Sequence, residues 1–183
     1  MTARAALRAA TAEEHRKVDT AFSRFHLGDE TGYRDFLRAQ AEAFLPVEAA
    51  LDQAGAETIL ADWPERRRGD FLRVDLADLN VTAPEPFAVP DFVSGKASMF
   101  GAIYVLEGSR LGGAVLKRTV PSHFPRRFLE ARQAAGSWRK LLQALDDLLI
   151  RPGDLDAAIV AAKEVFARFE RAARDDWRQE LRE

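Results

Sequence analysis

The sequence predicts an all-α protein of one domain, and three observations carry that prediction. Apolar residues recur at three- and four-residue spacing along most of the chain, no run of strand-like alternation occurs, and prolines and glycines gather between the periodic stretches. With 183 residues, 47% of them hydrophobic, the chain is long enough for one substantial core and short for two. Residues 1–183 therefore read as a single domain.

The elements follow in order. Leu7, Val18, Phe22 and Phe25 form the stripe of a first helix ending near Gly28 and Asp29. Thr31 is suited to cap a second, carrying Phe36, Leu37, Phe44, Val47 and Leu51, with Pro46 bending it before Gly55. A short apolar patch at Ile59, Leu60 and Trp63 precedes Pro64, and residues 65–79 pattern as a further helix around Leu72 and Leu76. Residues 80–90 hold three prolines and form a loop. A long apolar helix is predicted from about Phe92 to Arg118, closed by Pro121 and Pro125. Ser137 is suited to cap a helix reaching Ile150, and Asp154 caps a last one with Leu155, Ile159, Ala162, Phe166, Phe169, Ala173 and Trp177 on one face.

Composition narrows the function classes. The 27 Lys and Arg against 29 Asp and Glu leave a formal charge of −2, so no whole-molecule field attracts nucleic acid or an anionic membrane. The absence of cysteine excludes disulfides, iron–sulfur clusters, thiolate-ligated heme and thiol nucleophiles. The N-terminus lacks the apolar core of a signal peptide, and no apolar run reaches the ~18–20 residues that span a bilayer, so the expectation is a cytoplasmic protein.

Within the long helix, residues 101–118 carry four glycines where a stable helix wants none. Each is worse than alanine by roughly 1 kcal/mol, so something offsets a loss of about 4 kcal/mol. Gly101, Gly108 and Gly112 fall near one face and Gly113 widens the bare strip, onto which a flat object could lie. A close helix–helix crossing would use the same small residues. On the first helix, His15 sits on the shoulder of the apolar stripe, about 80° from Leu7 and 60° from Val18. Arg8, seven residues earlier, shares nearly its azimuth about 10.5 Å along the axis, close to the distance from a heme iron to its propionates. A neutral imidazole can ligate heme iron while a cation two turns away pairs with a propionate. A boundary histidine that only packs its ring fits the same position.

Taken together, Leu7-Arg-Ala-Ala-Thr-Ala-Glu-Glu-His15 and Tyr104-Val-Leu-Glu-Gly-Ser-Arg-Leu-Gly-Gly-Ala-Val-Leu116 resemble the heme oxygenase family, nearest to bacterial biliverdin-forming members, including those associated with bacteriophytochromes. The resemblance spans about residues 4–180. It implies a helical bundle with heme sandwiched between a proximal helix and a kinked, glycine-rich distal helix. It implies His15 as proximal ligand to the iron, Arg8 facing a propionate, and Gly108, Gly112 and Gly113 as close-approach positions of the distal wall. Arg139 is the match for a second propionate-binding cation, with Lys140 as its competitor. Animal members carry an aspartate after the first glycine, organising pocket water; Ser109 stands there in this chain, a hydroxyl without charge.

The implied activity is oxidative opening of heme b, both cofactor and substrate, to biliverdin, Fe2+ and CO. O2 is consumed, and without a nicotinamide or flavin fingerprint the electrons come from outside, from a ferredoxin or a reductase. Biliverdin delivery to a bacteriophytochrome is a further implied partnership. A heme carrier or sensor would use the same pocket without turnover, and an all-α interaction module would pack a partner helix on the glycine strip. A di-iron carboxylate enzyme ranks last, since no Glu-x-x-His pair occurs.

Overall fold

The computed structural model describes residues 2–84, 89–149 and 151–174. Among the described residues every regular element is helical: α1 (Ala3–Ala10), α2 (Ala12–Phe22), α3 (Glu30–Gln53), α4 (Trp63–Arg66), α5 (Gly69–Asp78), α6 (Lys96–Leu116), α7 (Arg127–Glu130), α8 (Ser137–Leu148) and α9 (Pro152–Ala173), with a 3-10 turn at Ala56–Thr58. No helix among them is long and apolar enough to cross a membrane. Trp177, placed on the last helix by its periodicity, lies outside the described residues.

The predicted first helix is two. Thr11 leaves helical geometry at φ −109°, ψ 3°, and its buried hydroxyl donates to the Leu7 carbonyl at 2.8 Å, so the helix breaks there. α1 buries Ala3, Ala6 and Leu7, whereas α2 buries no residue fully and rests only Val18 and Phe22 against the core. One side of α2 is thus left uncovered.

The cap of α3 lies two residues before the predicted Thr31, because the Asp29 carboxylate accepts the Gly32 N–H at 2.8 Å. It runs on through Pro46 and buries Tyr33, Phe36, Leu37, Phe44, Val47 and Leu51. The predicted helix 65–79 is divided by the extended backbone of Arg67 into α4 and α5. Glu48 of α3 supplies the cap that the local sequence lacks, accepting the N–H groups of Arg68 (2.7 Å) and Gly69 (2.9 Å). Asp75 ties α5 to α7 in the same manner, accepting the Phe128 N–H at 2.8 Å. Burial of these two carboxyls pushes both above their usual range, against the pull of the bonds they accept.

α6 is shorter than predicted at both ends, beginning after Gly95 and closing before Lys117. Ser137 is the first residue of α8 rather than its cap, following Gly136 at φ 83°. Asp154 lies inside the first turn of α9, held by Arg151 at 2.6 Å. The core is built where α9 packs against α6, α3 and α2. The α6–α9 crossing is tight enough that a Cβ on Gly101 would run into the Ala158 carbonyl, with the Ala158 Cα 3.0 Å away.

Candidate functional site

The α6 glycines serve different neighbours. Gly101 is the helix–helix crossing just described, and Gly113 backs onto Leu129, whose Cδ2 lies 3.4 Å from the position a Cβ would take. Gly108 meets only the tip of Trp138, at 3.8 Å, and Gly112 faces open space with nothing within 4 Å. Packing explains Gly101 and Gly113, while Gly108 is half-buried beside Trp138 and Gly112 is exposed.

His15 stands on α2 at the margin of its contact with α9, with 63% of its side chain exposed. Its Nδ1 lies 3.0 Å from the Asp19 carboxylate one turn on, and its ring meets Phe166 of α9 edge-on at 5.7 Å. A carboxylate at Nδ1 is the supporting contact that a metal-ligating imidazole uses when its other ring nitrogen holds the metal. α9 therefore supports both surfaces: Ala158 at the crossing with α6 and Phe166 beneath His15 are eight residues, about 12 Å, apart along its axis.

Arg8 is exposed on α1. The break at Thr11 ends the single helix on which Arg8 and His15 would share an azimuth. Half-burial pushes the Tyr104 hydroxyl of α6 up in pKa, and the Arg8 cation pulls it partly back, which sets Arg8 near Tyr104. Tyr104 stacks on Trp138 of α8 with ring centroids 5.8 Å apart. Arg139 is exposed beside Trp138 and forms no ion pair among the described residues. Its competitor Lys140 acts instead on Asp62, whose carboxyl is held below its usual range chiefly by its bonds to Arg66. Tyr104 and Trp138 are additions that sequence reasoning missed. The signal was available for Tyr104, four residues before Gly108 on the same face.

Behind α6 the chain holds a buried charge lattice that the sequence shows only as scattered charges. Arg68, fully enclosed, lies over the edge-to-face pair of Phe44 (4.9 Å) and Phe128 (4.7 Å). Its Nη2 donates to the Ser109 hydroxyl at 2.7 Å and to the Leu106 carbonyl at 2.6 Å, while its Nε has no partner. Burial, and then the nearby Arg110 cation, push its pKa down to about 9, against Glu107 and Glu48. Glu107 bridges Arg66 (2.9 Å) and Arg110 (3.0 Å); Arg66 also reaches the Ser137 carbonyl and Arg110 the Ala131 carbonyl. The lattice joins α3, α4, α6 and α8 and sets how α6 presents its opposite face.

Ser109 is accordingly committed. Its hydroxyl donates to the Leu106 carbonyl at 2.6 Å and accepts from Arg68, leaving one acceptor lone pair for water or ligand. An aspartate in its place would face Arg68 as a full ion pair.

Comparison with known proteins follows the same lines. No protein-family model matches the chain. It is 31% identical over 150 residues to a heme oxygenase of Xanthomonas campestris pv. campestris (strain 8004), covering 79% of this chain and 89% of that protein. The NO- and CO-bound heme oxygenase from Neisseria meningitidis superposes with a TM-score of 0.82 at 24% identity, over 96% of this chain and 92% of that one. Heme oxygenase from Leptospira interrogans superposes with a TM-score of 0.77 at 20% identity, over 96% of this chain and all of that one. At those identities the two superpositions establish the fold.

Proposed function

The chain belongs to the heme oxygenase family, and from that premise we propose that it opens heme between the uncovered side of α2 and the bare face of α6. It is a heme-degrading oxygenase that takes heme as substrate and draws electrons from a reductase. Residues 1–183 act as one heme-binding domain. The finer reading is heme b converted to biliverdin, Fe2+ and CO in the cytoplasm, with a ferredoxin as donor and a bacteriophytochrome as recipient of the product.

The observation that supports this reading is an exposed His15 whose Nδ1 is held by Asp19, taken together with a helix face bare at Gly112. A side chain at Gly112 would stand in the open space over the α6 backbone where the ring is to lie, and an imidazole held by Asp19 has the donor chemistry for heme iron. Bound heme supplies the iron at which O2 is reduced and the ring that is oxidised. The rest falls to the chain. His15 holds the iron from one side; Gly108 and Gly112 let the α6 backbone lie close over the ring; Gly113 keeps that helix seated on Leu129. Ser109, with its proton committed to Leu106, offers an acceptor rather than an acid, so the distal side provides no strong proton donor from this residue. Arg8 and Arg139 meet the propionates. Close approach of the backbone restricts which meso edge is accessible, and small displacements of reacting atoms are costly.

The direct test is an absorbance series on the protein with one equivalent of hemin, then reductant in air with catalase present. A Soret shift on mixing, then Soret loss with growth of the biliverdin bands, is the expected result. A heme spectrum that persists under reductant would favour a carrier or sensor, and no shift on mixing would dismiss heme. Arg8→Ala is expected to weaken hemin binding about 5-fold, the ~1 kcal/mol of an exposed charge pair. Equal affinity together with an identical product isomer would remove Arg8 from the site.

A further inference from the structure

α2 is held to the rest of the protein along one line. The break at Thr11 separates it from α1, none of its residues is fully buried, and Val18 and Phe22 rest on the core. α9 supplies the remainder of its seat. The two helices run parallel, with Glu14, His15 and Phe22 of α2 meeting Lys163, Phe166 and Phe169 of α9 in that order. A polar tie closes the line at each end. The Glu14 Oε1 lies 3.5 Å from the Lys163 Nζ, and just past the end of α2 the Arg24 Nη1 donates to the Ala173 carbonyl at 3.1 Å. Ten residues separate the two ties on both sides of the contact, so their spacings match.

The first of these ties stands beside the candidate iron ligand. Glu13 pairs within α2, with Arg16, whereas Glu14 reaches across to α9. The Glu14 side chain is only 22% exposed, and its Oε2 is buried with no hydrogen-bond partner among the described residues. Withdrawing a carboxylate this far from water is costly, and one ammonium at 3.5 Å offsets only part of that, so the pair is poor evidence for stability. What it fixes is place and charge. Lys163 and Phe166 lie one turn apart on α9, so a single stretch of that helix meets both Glu14 and the His15 ring. His15 is flanked by two carboxylates, Asp19 one turn on and Glu14 next to it in the chain. Asp19 lies at Nδ1; the printed partner of Glu14 is Lys163, which cancels its charge.

We propose that Glu14 and Lys163 are positioning residues for the reaction: their contact seats the start of α2 on α9, and Lys163 cancels the Glu14 charge beside His15, which eases reduction of the iron. The inference rests on His15 as the iron ligand, as assigned above. Ferric iron takes one electron from the reductase to become ferrous, and the positive charge at the iron falls by one. A bare carboxylate nearby opposes that step and a bare cation favours it. Glu14 without Lys163, added to Asp19, would make the iron harder to reduce, and Lys163 without Glu14 would make it easier. A pair that only braced the helix would show no such opposition, because losing either partner would loosen α2 in the same way.

The test uses Glu14→Gln, Lys163→Met, the two together and Lys163→Arg, each read in two ways. Hydrogen exchange of the α2 amides is followed in the apoprotein, and the ferric–ferrous midpoint potential in the hemin complex. Exchange in α2 is expected to quicken about threefold in both single variants and in the double, as loss of a partly exposed ion pair implies, with apoprotein melting unchanged. The potential should rise in Glu14→Gln, fall in Lys163→Met and return close to its starting value in the double variant. Lys163→Arg, which keeps the cation, should hold both readings where they began. Unaltered exchange in both single variants, or potentials that stay fixed or move in the same direction in both, would overturn the inference while leaving heme binding standing. Failure of the unaltered chain to bind hemin, or an unaltered heme spectrum in His15→Ala, would remove the site assignment and this inference with it.

Discussion

His15→Ala is expected to abolish the histidine-ligated heme spectrum and to lower ring opening by at least about 100-fold, beyond what loss of a ligand's supporting contact costs. The reason lies in what the side chain touches. His15 contributes little to the fold: it is largely exposed, its Nδ1 bonds only Asp19, and its ring meets Phe166 edge-on. Surface changes of this kind move stability by about 0.5 kcal/mol or less, so the apoprotein should melt as before. The loss is then one of iron ligation, and added imidazole should restore the spectrum because the site around the missing ring is intact. Asp19→Asn tests the supporting contact: the ligand stays, its basicity falls, and activity should drop about tenfold. An unaltered spectrum in His15→Ala would transfer the iron to another ligand. The other histidines are His26, exposed beside a turn, and His123, packed on Phe124.

What the sequence made legible is what short-range pattern encodes. The helical stripes, the glycine anomaly of α6 and the proline-rich loop after Asn80 depend on residues within a turn or two of one another. The break at Thr11 was hidden because the apolar period passes through it undisturbed, and only the backbone angles and the bond to Leu7 reveal it. Cap positions slipped by one or two residues where neighbours compete: Asp29 and Thr31 can both cap, and Asp29 holds the Gly32 N–H. The division of residues 65–79 could not be read locally, since the cap of α5 comes from Glu48 on another helix.

The same reasoning explains what was missed in the site. His15, Arg8 and the glycines announce themselves by type and spacing. Arg66 and Arg68 sit in an arginine run that reads as a solvated surface, and burial is conferred on them by Glu48, Glu107, Phe44 and Phe128 from elsewhere in the chain. Glu107, a carboxylate inside an apolar helix, was the one local hint. Such a lattice is poor evidence for stability, because desolvating its charges offsets much of their attraction. Its consequence is orientation: with Arg66, Arg68 and Arg110 all bonded to the back of α6 or its neighbours, the helix has one way to face, and the bare glycines point where a ligand can reach them.

Gly112→Leu separates that ligand face from the fold. Nothing lies within 4 Å of the Cβ position at Gly112, so the free protein can accept the side chain. Replacing a helical glycine by leucine should raise its stability by roughly 0.8–1 kcal/mol, provided the exposed site stays solvated. Heme binding should move the other way, because the new side chain occupies the space the ring needs against the backbone. Hemin affinity or biliverdin yield is expected to fall at least tenfold, with any residual product shifted in isomer. Gly101→Ala is the converse. Its Cβ is driven into the Ala158 carbonyl, where no flexible side chain can yield, and overpacking of that kind costs roughly 1–3 kcal/mol while leaving the ligand face untouched. A melting curve and a hemin titration on both variants read the contrast directly: one protein is stable and unable to seat heme, the other loosened and able to. If Gly112→Leu instead gives the same biliverdin yield and the same isomer, the bare face of α6 is not where the ring lies.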